Sequence, residues 1–191
     1  MMKLQIDEEL IKEMYPEVVW IQNKEMQKAC VQALIDAYLY GRWTCETIEK
    51  IPVSVKKVKD KERNNLISHV RTVTKIAVSI YDHLNEAYDL KSCSRDIVIA
   101  GALLHDLGKM VEFELDVDGN YTYSSVAQML RHPVLGVLIA DKNHMQPEVL
   151  HIISTHSFEG NESYKTLAAQ IVRAADTIAF DCLLTLEAES L

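Results

Sequence analysis

The stretch "IAGALLHDLGKMVEF", residues 99–113, decides the fold. It continues an apolar run, Ile97 to Leu104, that offers no polar side chain on any side. A strand buried on both faces is one way to satisfy such a run. Its alanines and leucines, and the length of the segment, favour a central helix instead. Asp96 is the candidate N-cap, and Gly108 is the natural breaker at the far end. The run finishes on His105 and Asp106, two adjacent groups that resist burial. Whatever surrounds this helix must satisfy them.

Outward from it, further helices are legible. Leu66, Val70, Val73, Ala77, Ile80 and Leu84 recur at steps of three and four, predicting a helix from about Asn65 to Ala87 with His69 on its inward face. Pro133 and Pro147 suit the first turns of "HPVLGVLIADK" and "PEVLHIISTH". A last helix is expected from Tyr164 to Leu186, with Leu167, Ile171, Ala174, Ile178 and Cys182 on one face. Between them, "EFELDVDGNYTYS" alternates around Asp118-Gly119 and predicts a small exposed hairpin with a two-residue turn. A calcium loop is a poor alternative there: Asp116 and Asp118 have the spacing, but Gly119 is misplaced and no Glu closes it. Upstream, "NKEMQKACVQALIDAYLYGRW" reads as a helix ending at Gly41, and "IPVSVKKVKDKERNN" as a connector carrying four lysines and an arginine. The expected class is all-α: a helical bundle with one hairpin, divided into an N-terminal helical extension (1–50), a charged connector (51–64) and a metal-binding helical domain (65–191).

Composition narrows the function. A chain of 191 residues with 48% hydrophobic and 25% charged residues is an ordinary globular protein, long enough to bury its own core. A net charge of −8 argues against binding a nucleic-acid polymer. The apolar run is too short to span a membrane, and the acidic, amphipathic start "MMKLQIDEELIKEM" lacks a signal peptide's apolar core, so the expected location is cytoplasmic. Cys30, Cys45, Cys93 and Cys182 are scattered and read as reduced thiols.

Asp176 interrupts the apolar stretch "IVRAADTIAF" of the last helix. Alone, each of His69, His105, Asp106 and Asp176 has a plain structural reading as a hydrogen-bonded core residue or a cap. Together they place four costly groups on three helices whose apolar faces must converge. An unpaired buried carboxylate costs several kcal/mol or takes up a proton. A divalent cation removes that penalty for all of them at once. Neighbouring helix residues diverge by about 100°, so one of the His105-Asp106 pair can face the ion while the other reaches in from the side.

Here the sequence resembles a known family, the HD-domain metal-dependent phosphohydrolases. The blocks "HVRTVTKIA", "AGALLHDLGK" and "IVRAADTI" look like its motifs in order, over about residues 65–182. The resemblance implies His69, His105, Asp106 and Asp176 as metal ligands. Two further blocks, "RHPVLG" and "IISTHSFEG", resemble those of dinuclear members and imply His132 and His156 as ligands of a second ion, with Asp106 bridging. Ser157 after His156, and "NESY" beyond it, depart from the subfamily that degrades cyclic dinucleotides. The succession is loosely similar to bacterial dinucleoside polyphosphate hydrolases.

The implied reaction is attack of a metal-activated hydroxide on phosphorus, in a small phosphorylated substrate such as a nucleotide. Nitrogen and oxygen ligands suit Fe, Mn, Co, Ni or Zn, as one ion or two. Lys109 is placed to meet a phosphate oxygen over the cleft, with Arg131 a second candidate. Both also read as solvated cations. Asp106 and Lys109 are thus the expected catalytic pair, and a homodimer is an admissible assembly. His83, His144 and His151 are assigned to the surface or the scaffold. "DLGKM" is not a P-loop, since Gly101 is too far from Gly108 and Met110 stands where Ser or Thr is required. Two alternatives stay open: a catalytically silent metal- or nucleotide-binding sensor or scaffold, and a diiron oxygenase.

Overall fold

A computed structural model describes residues 5–60 and 64–189. Lys61 and Arg63 of the charged connector, and the outermost residues of the 1–50 and 65–191 segments, lie outside the described residues. The helices are α1 (Glu8–Met14), α2 (Lys24–Tyr40), α3 (Leu66–Tyr88), α4 (Arg95–Leu104), α5 (Lys109–Glu112), α6 (His132–Lys142), α7 (Pro147–Thr155) and α8 (Leu167–Glu189). A hairpin of β1 (Phe113–Leu115) and β2 (Tyr121–Tyr123) sits between α5 and α6. No helix among the described residues is long and apolar enough to cross a membrane.

Helix α4 is the axis of the bundle. Every residue from Ile97 to Leu104 is buried, and α2, α3, α7 and α8 all pack against it. Helix α3 begins where its pattern begins. The Asn65 side chain caps it by accepting from the Ser68 N–H, and Asp89 ends it in the left-handed region at φ 51°. Its periodic residues turn inward, with Leu66, Val70, Val73 and Ala77 buried and Ile80 and Leu84 partly so.

One apolar core runs through the whole described chain. Ile11, Tyr15, Val18 and Leu34 from the first fifty residues share it with Val73, Ile99 and Val172. Glu17 is buried among them, within reach of Arg71 (3.1 Å) and Lys75 (3.4 Å) on α3. No break in this core corresponds to the connector. Its described part lies over α3, pairing Pro52 with Asn65 and burying Val53 and Val58.

Four local expectations are corrected. Asp96 does not cap α4. Ser94 holds that position, and the Asp96 carboxylate instead accepts from the backbone N–H groups of Gln22 (2.9 Å) and Asn23 (2.8 Å), tying the entry of α2 to the bundle. Gly108 is no left-handed breaker, since its φ is −69°. The residue is needed for close approach: a Cβ there would stand 2.0 Å from the His132 carbonyl oxygen and 2.7 Å from the Gly136 nitrogen. The hairpin turn is longer than two residues. The Asp116 N–H donates to Asn120 O, the Asp116 carboxylate accepts from the N–H groups of Asp118 and Asn120, and Gly119 supplies φ +80°.

The fourth correction concerns α8. Its buried residues are Ala168, Ala169, Ile171, Val172 and Ala175. Of the face expected inward, Ala174 and Cys182 are exposed and Ile178 is 51% exposed. Alanines on the other side let α8 lie close to α3 and α4, so the bulkier stripe stays outside. The helix also starts three residues later than Tyr164.

Candidate metal centre

The helices converge on six side chains that form two clusters, His69–His105–Asp176 and Asp106–His132–His156, each with ligand atoms within 4.8 Å of one another. The placements have simple local causes. His69 lies in the first turn of α3, His105 directly follows the last residue of α4, and His156 directly follows the last residue of α7. His132 is the first residue of α6, after the Arg131 N-cap. Helix ends point side chains into the gap between elements instead of onto a packed face.

Two of the rings are set by the same device. His105 Nδ1 lies 2.7 Å from Ala102 O, and His156 Nδ1 lies 2.8 Å from Ile153 O, each a carbonyl three residues back. A proton on Nδ1 makes both hydrogen bonds and leaves the Nε2 lone pairs aimed into the cluster. There, Nε2 of His105 is 3.4 Å from Nε2 of His69, and Nε2 of His132 is 3.3 Å from Nε2 of His156. Lone pairs facing one another at that distance need a proton or a cation between them.

Asp106 joins the clusters. Its Oδ2 lies 3.5 Å from His69 Nε2 and 3.3 Å from His105 Nε2. Its Oδ1 lies 3.6 Å from His132 Nε2 and 3.5 Å from His156 Nε2. Asp176 Oδ1 completes the first cluster, at 3.0 Å from His69 and 3.6 Å from His105. Ligand atoms about 2.1 Å from a shared ion stand roughly 3.0–3.5 Å apart. The spacings observed here fall close to that range. Asp106 is 1% exposed, and its Oδ1 has no hydrogen-bond partner among the described residues. A fully buried carboxylate oxygen that lacks a hydrogen-bond partner and faces two imidazole nitrogens fits a cation.

Electrostatics point the same way. Burial opposes ionisation of Asp106, but the Lys109 ammonium and His105 override it and hold the carboxyl well below its usual range. Asp176 is likewise lowered, as hydrogen bonds with His105 and His69 outweigh its burial. Burial works against charge on His105, yet Asp106 and Asp176 push it up to about 10. His156 moves the other way, lowered chiefly by burial. The pocket is one in which positive charge is stabilised beside two ionised carboxylates.

The two cations expected to meet a phosphate are otherwise engaged. Lys109 Nζ donates to Asp106 Oδ2 at 2.7 Å and to Val53 O at 3.0 Å, so it fastens the connector to the cluster. Arg131 Nε pairs with the Glu112 carboxylate, and its guanidinium lies over the Tyr123 ring at 5.6 Å. Of the remaining histidines, His83 and His144 are exposed, and His151 Nε2 accepts from the Thr166 N–H.

Sequence reasoning missed Glu112. It is 1% exposed, its Oε2 stands 3.1 Å from His132 Nδ1, and it carries the Arg131 pair on its other oxygen. His132 Nδ1 makes no hydrogen bond among the described residues, so the two groups are in close contact only. Its carboxyl is lowered, with His132 and Arg131 outweighing the burial that opposes them. The available signal was a Glu four residues after a helix breaker beside a motif aspartate. No periodicity marked it.

The HD domain model matches residues 66–181, more than half of the chain and all six clustered residues. The chain belongs to the HD domain family. Its fold, a helical bundle with one small antiparallel hairpin, agrees with that assignment. Similarity extends to a dihydroneopterin 2′,3′-cyclic phosphate phosphodiesterase of Methanocaldococcus jannaschii, 30% identical over 160 residues that cover 82% of this chain and 63% of the archaeal protein. A ribonuclease Y of Desulforamulus reducens is 38% identical over 77 residues, 40% of this chain and 12% of its own. A tRNA (cytidine(56)-2′-O)-methyltransferase of Picrophilus torridus is 28% identical over 95 residues, half of this chain and 21% of its own. This chain therefore spans less than two thirds of the relatives it matches. No solved structure matches it.

Proposed function

We propose that this HD domain protein is a metal-dependent phosphohydrolase acting on a small phosphate ester at a dinuclear centre. The observation that carries the reading is the division of one buried carboxylate between two clusters: Asp106 Oδ2 faces His69 and His105 while Oδ1 faces His132 and His156. His69, His105, Asp106 and Asp176 would hold the first ion, and Asp106, His132 and His156 the second. When bound, a divalent pair supplies Lewis acidity, lowering the pKa of water and offsetting charge on phosphorus. The donor set, nitrogen and oxygen without thiolate, suits Mn, Fe, Co, Ni or Zn.

The chain's own residues do the rest. The backbone carbonyls of Ala102 and Ile153 hold two imidazoles in the tautomer that presents Nε2 inward. Lys109 keeps Asp106 in the bridging orientation. Its engagement there, and that of Arg131 on Glu112, make both positioning residues in this reading and leave neutralisation of the substrate to the centre itself. Five of the six clustered side chains are buried, and Asp176, 20% exposed, stands at the open edge of the cluster. The archaeal relative's name, a cyclic phosphate phosphodiesterase, supports a small phosphodiester or phosphomonoester as substrate.

Glu112 gives a first specific expectation. Glu112→Gln keeps the shape but removes the charge behind His132. Affinity for the second ion should fall by roughly 10–100-fold while the first ion stays. Metal titration read by elemental analysis checks this, and parallel loss of both ions would place Glu112 elsewhere in the scheme. The function itself is tested by phosphate release, or ring opening, from 2′,3′-cyclic AMP and p-nitrophenyl phosphate with manganese or iron present. Turnover that requires metal supports the reading. Tight binding without turnover under every metal favours the silent sensor, and oxygen consumption favours the oxygenase.

A further inference from the structure

A groove of about 600 Å³ runs between α3, the C-terminal half of α8 and the connector, and it shares His69 with the metal cluster. Its walls explain the displaced stripe of α8. Ile178, Leu183 and Leu186 from α8 face Ile76 from α3 across it. Ile178 and Leu186 are 51% and 62% exposed, and Cys182 is exposed beside them. Beside His69, Ser68 and Thr72 add hydroxyl groups. The volume is within the usual range for small-molecule sites, which are mostly apolar with a few polar groups at one end.

The charges on the lining select among phosphate esters. Among the described lining residues, one lysine, Lys59, stands against two carboxylates, Asp60 and Glu187. Glu187 is fixed at the rim, accepting from the N–H groups of Lys59 (3.1 Å) and Asp60 (3.2 Å) and from Asn64 Nδ2 (2.6 Å). A chain of several phosphates laid along these described residues would meet more negative than positive charge. Lys109 and Arg131 lie outside the lining and are held on Asp106 and Glu112.

Resting on the phosphohydrolase reading above, we infer that this groove is the subsite for the organic part of the substrate. It takes an uncharged ring system with apolar faces, of nucleoside size, attached to a single phosphorus. The ester phosphorus sits at the cluster, and the ring lies outward along Ile178 and Leu183. A dinucleoside polyphosphate is disfavoured by the same walls.

The probes are adenosine and neopterin, ring compounds without phosphate, titrated by calorimetry into the metal-loaded chain. At least one should bind with a dissociation constant of roughly 0.1 mM, as expected for a ligand of that size. The same ligand should protect Cys182 from alkylation by N-ethylmaleimide. Cys182→Trp, which fills the groove from an exposed position, should weaken binding at least tenfold, with helicity and metal content unchanged, and Cys182→Ser should leave it intact. Hydrolysis of 2′,3′-cyclic AMP by the tryptophan variant should lose through KM, not kcat. If neither compound binds, or if Cys182→Trp binds as well as the native chain, the subsite is overturned even where 2′,3′-cyclic AMP is hydrolysed. If a ring compound binds and is blocked by tryptophan but no ester is turned over, the groove stands and the phosphohydrolase reading fails. Diadenosine tetraphosphate hydrolysed with a lower KM than 2′,3′-cyclic AMP would overturn the inferred preference.

Discussion

Asp106→Ala is expected to leave the protein folded, strip both ions and abolish hydrolysis. Each of the other clustered residues serves one cluster, whereas Asp106 faces four imidazoles with its two oxygens at 3.3–3.6 Å. Its loss takes one donor from each site and the negative charge from between them. Elemental analysis should therefore fall from two ions per chain to fewer than one, with activity down at least about 1,000-fold, the scale on which a group essential to metal-assisted hydrolysis acts. The fold should persist but lose stability, because Lys109 keeps its bond to Val53 O while its ammonium and the four rings lose their carboxylate partner. Asp176→Ala is the informative contrast. It touches only His69 and His105, so the second ion should remain. Equal loss of both ions in the two variants would refute a bridging role for Asp106.

Gly108→Ala should be severely destabilising, although it adds one methyl group. The obstacles to its Cβ are the backbone oxygen of His132 at 2.0 Å and the backbone nitrogen of Gly136 at 2.7 Å. No rotamer change relieves a clash with backbone. The start of α6 must move away from α5, and His132 moves with it. The cost should reach about 3 kcal/mol, a fall in Tm of roughly 6–12 °C for a chain of this size. Affinity for the second ion should fall as well. Gly119→Ala provides the comparison: its φ is +80° but nothing lies within 4 Å of the added Cβ. It should cost only about 1 kcal/mol of backbone strain and leave metal binding alone. Thermal unfolding and metal titration of the two variants read both effects. Equal costs would contradict the close-approach account of Gly108.

The sequence carried the architecture well where one signal dominated. Helix α4 was legible because eight consecutive apolar residues admit no exposed face, and α3 because its apolar stripe keeps to one face. Asp96 shows why caps are harder: a carboxylate near a helix start can cap its own helix or a neighbour's backbone, and only the packing of Gln22 and Asn23 beside it decides. In α8, two stripes competed. The alanine-rich one took the core along with Ile171 because small residues permit close helix packing, and Ile178 and Cys182 of the bulkier stripe were left to line the groove.

The candidate site was legible in its residue types. His69, His105, Asp106 and Asp176 stood out as groups that resist burial against an apolar background, whereas His132 and His156 were implied only by the family resemblance; all six come together. Its supporting residues were not. Glu112 acquires its part only when α5 is brought against the start of α6, a tertiary fact with no local pattern. Lys109 and Arg131 were expected to meet a substrate phosphate, and sequence does not show that each also pairs with a carboxylate, Asp106 and Glu112.

The most direct measurement is an anomalous-scattering map from crystals of the manganese-loaded protein. Two peaks about 3.5–4 Å apart, one on each side of the Asp106 carboxylate, are expected. A single peak between His69 and Asp176 with none near His132 and His156, or no peak at the cluster at all, would contradict a dinuclear centre.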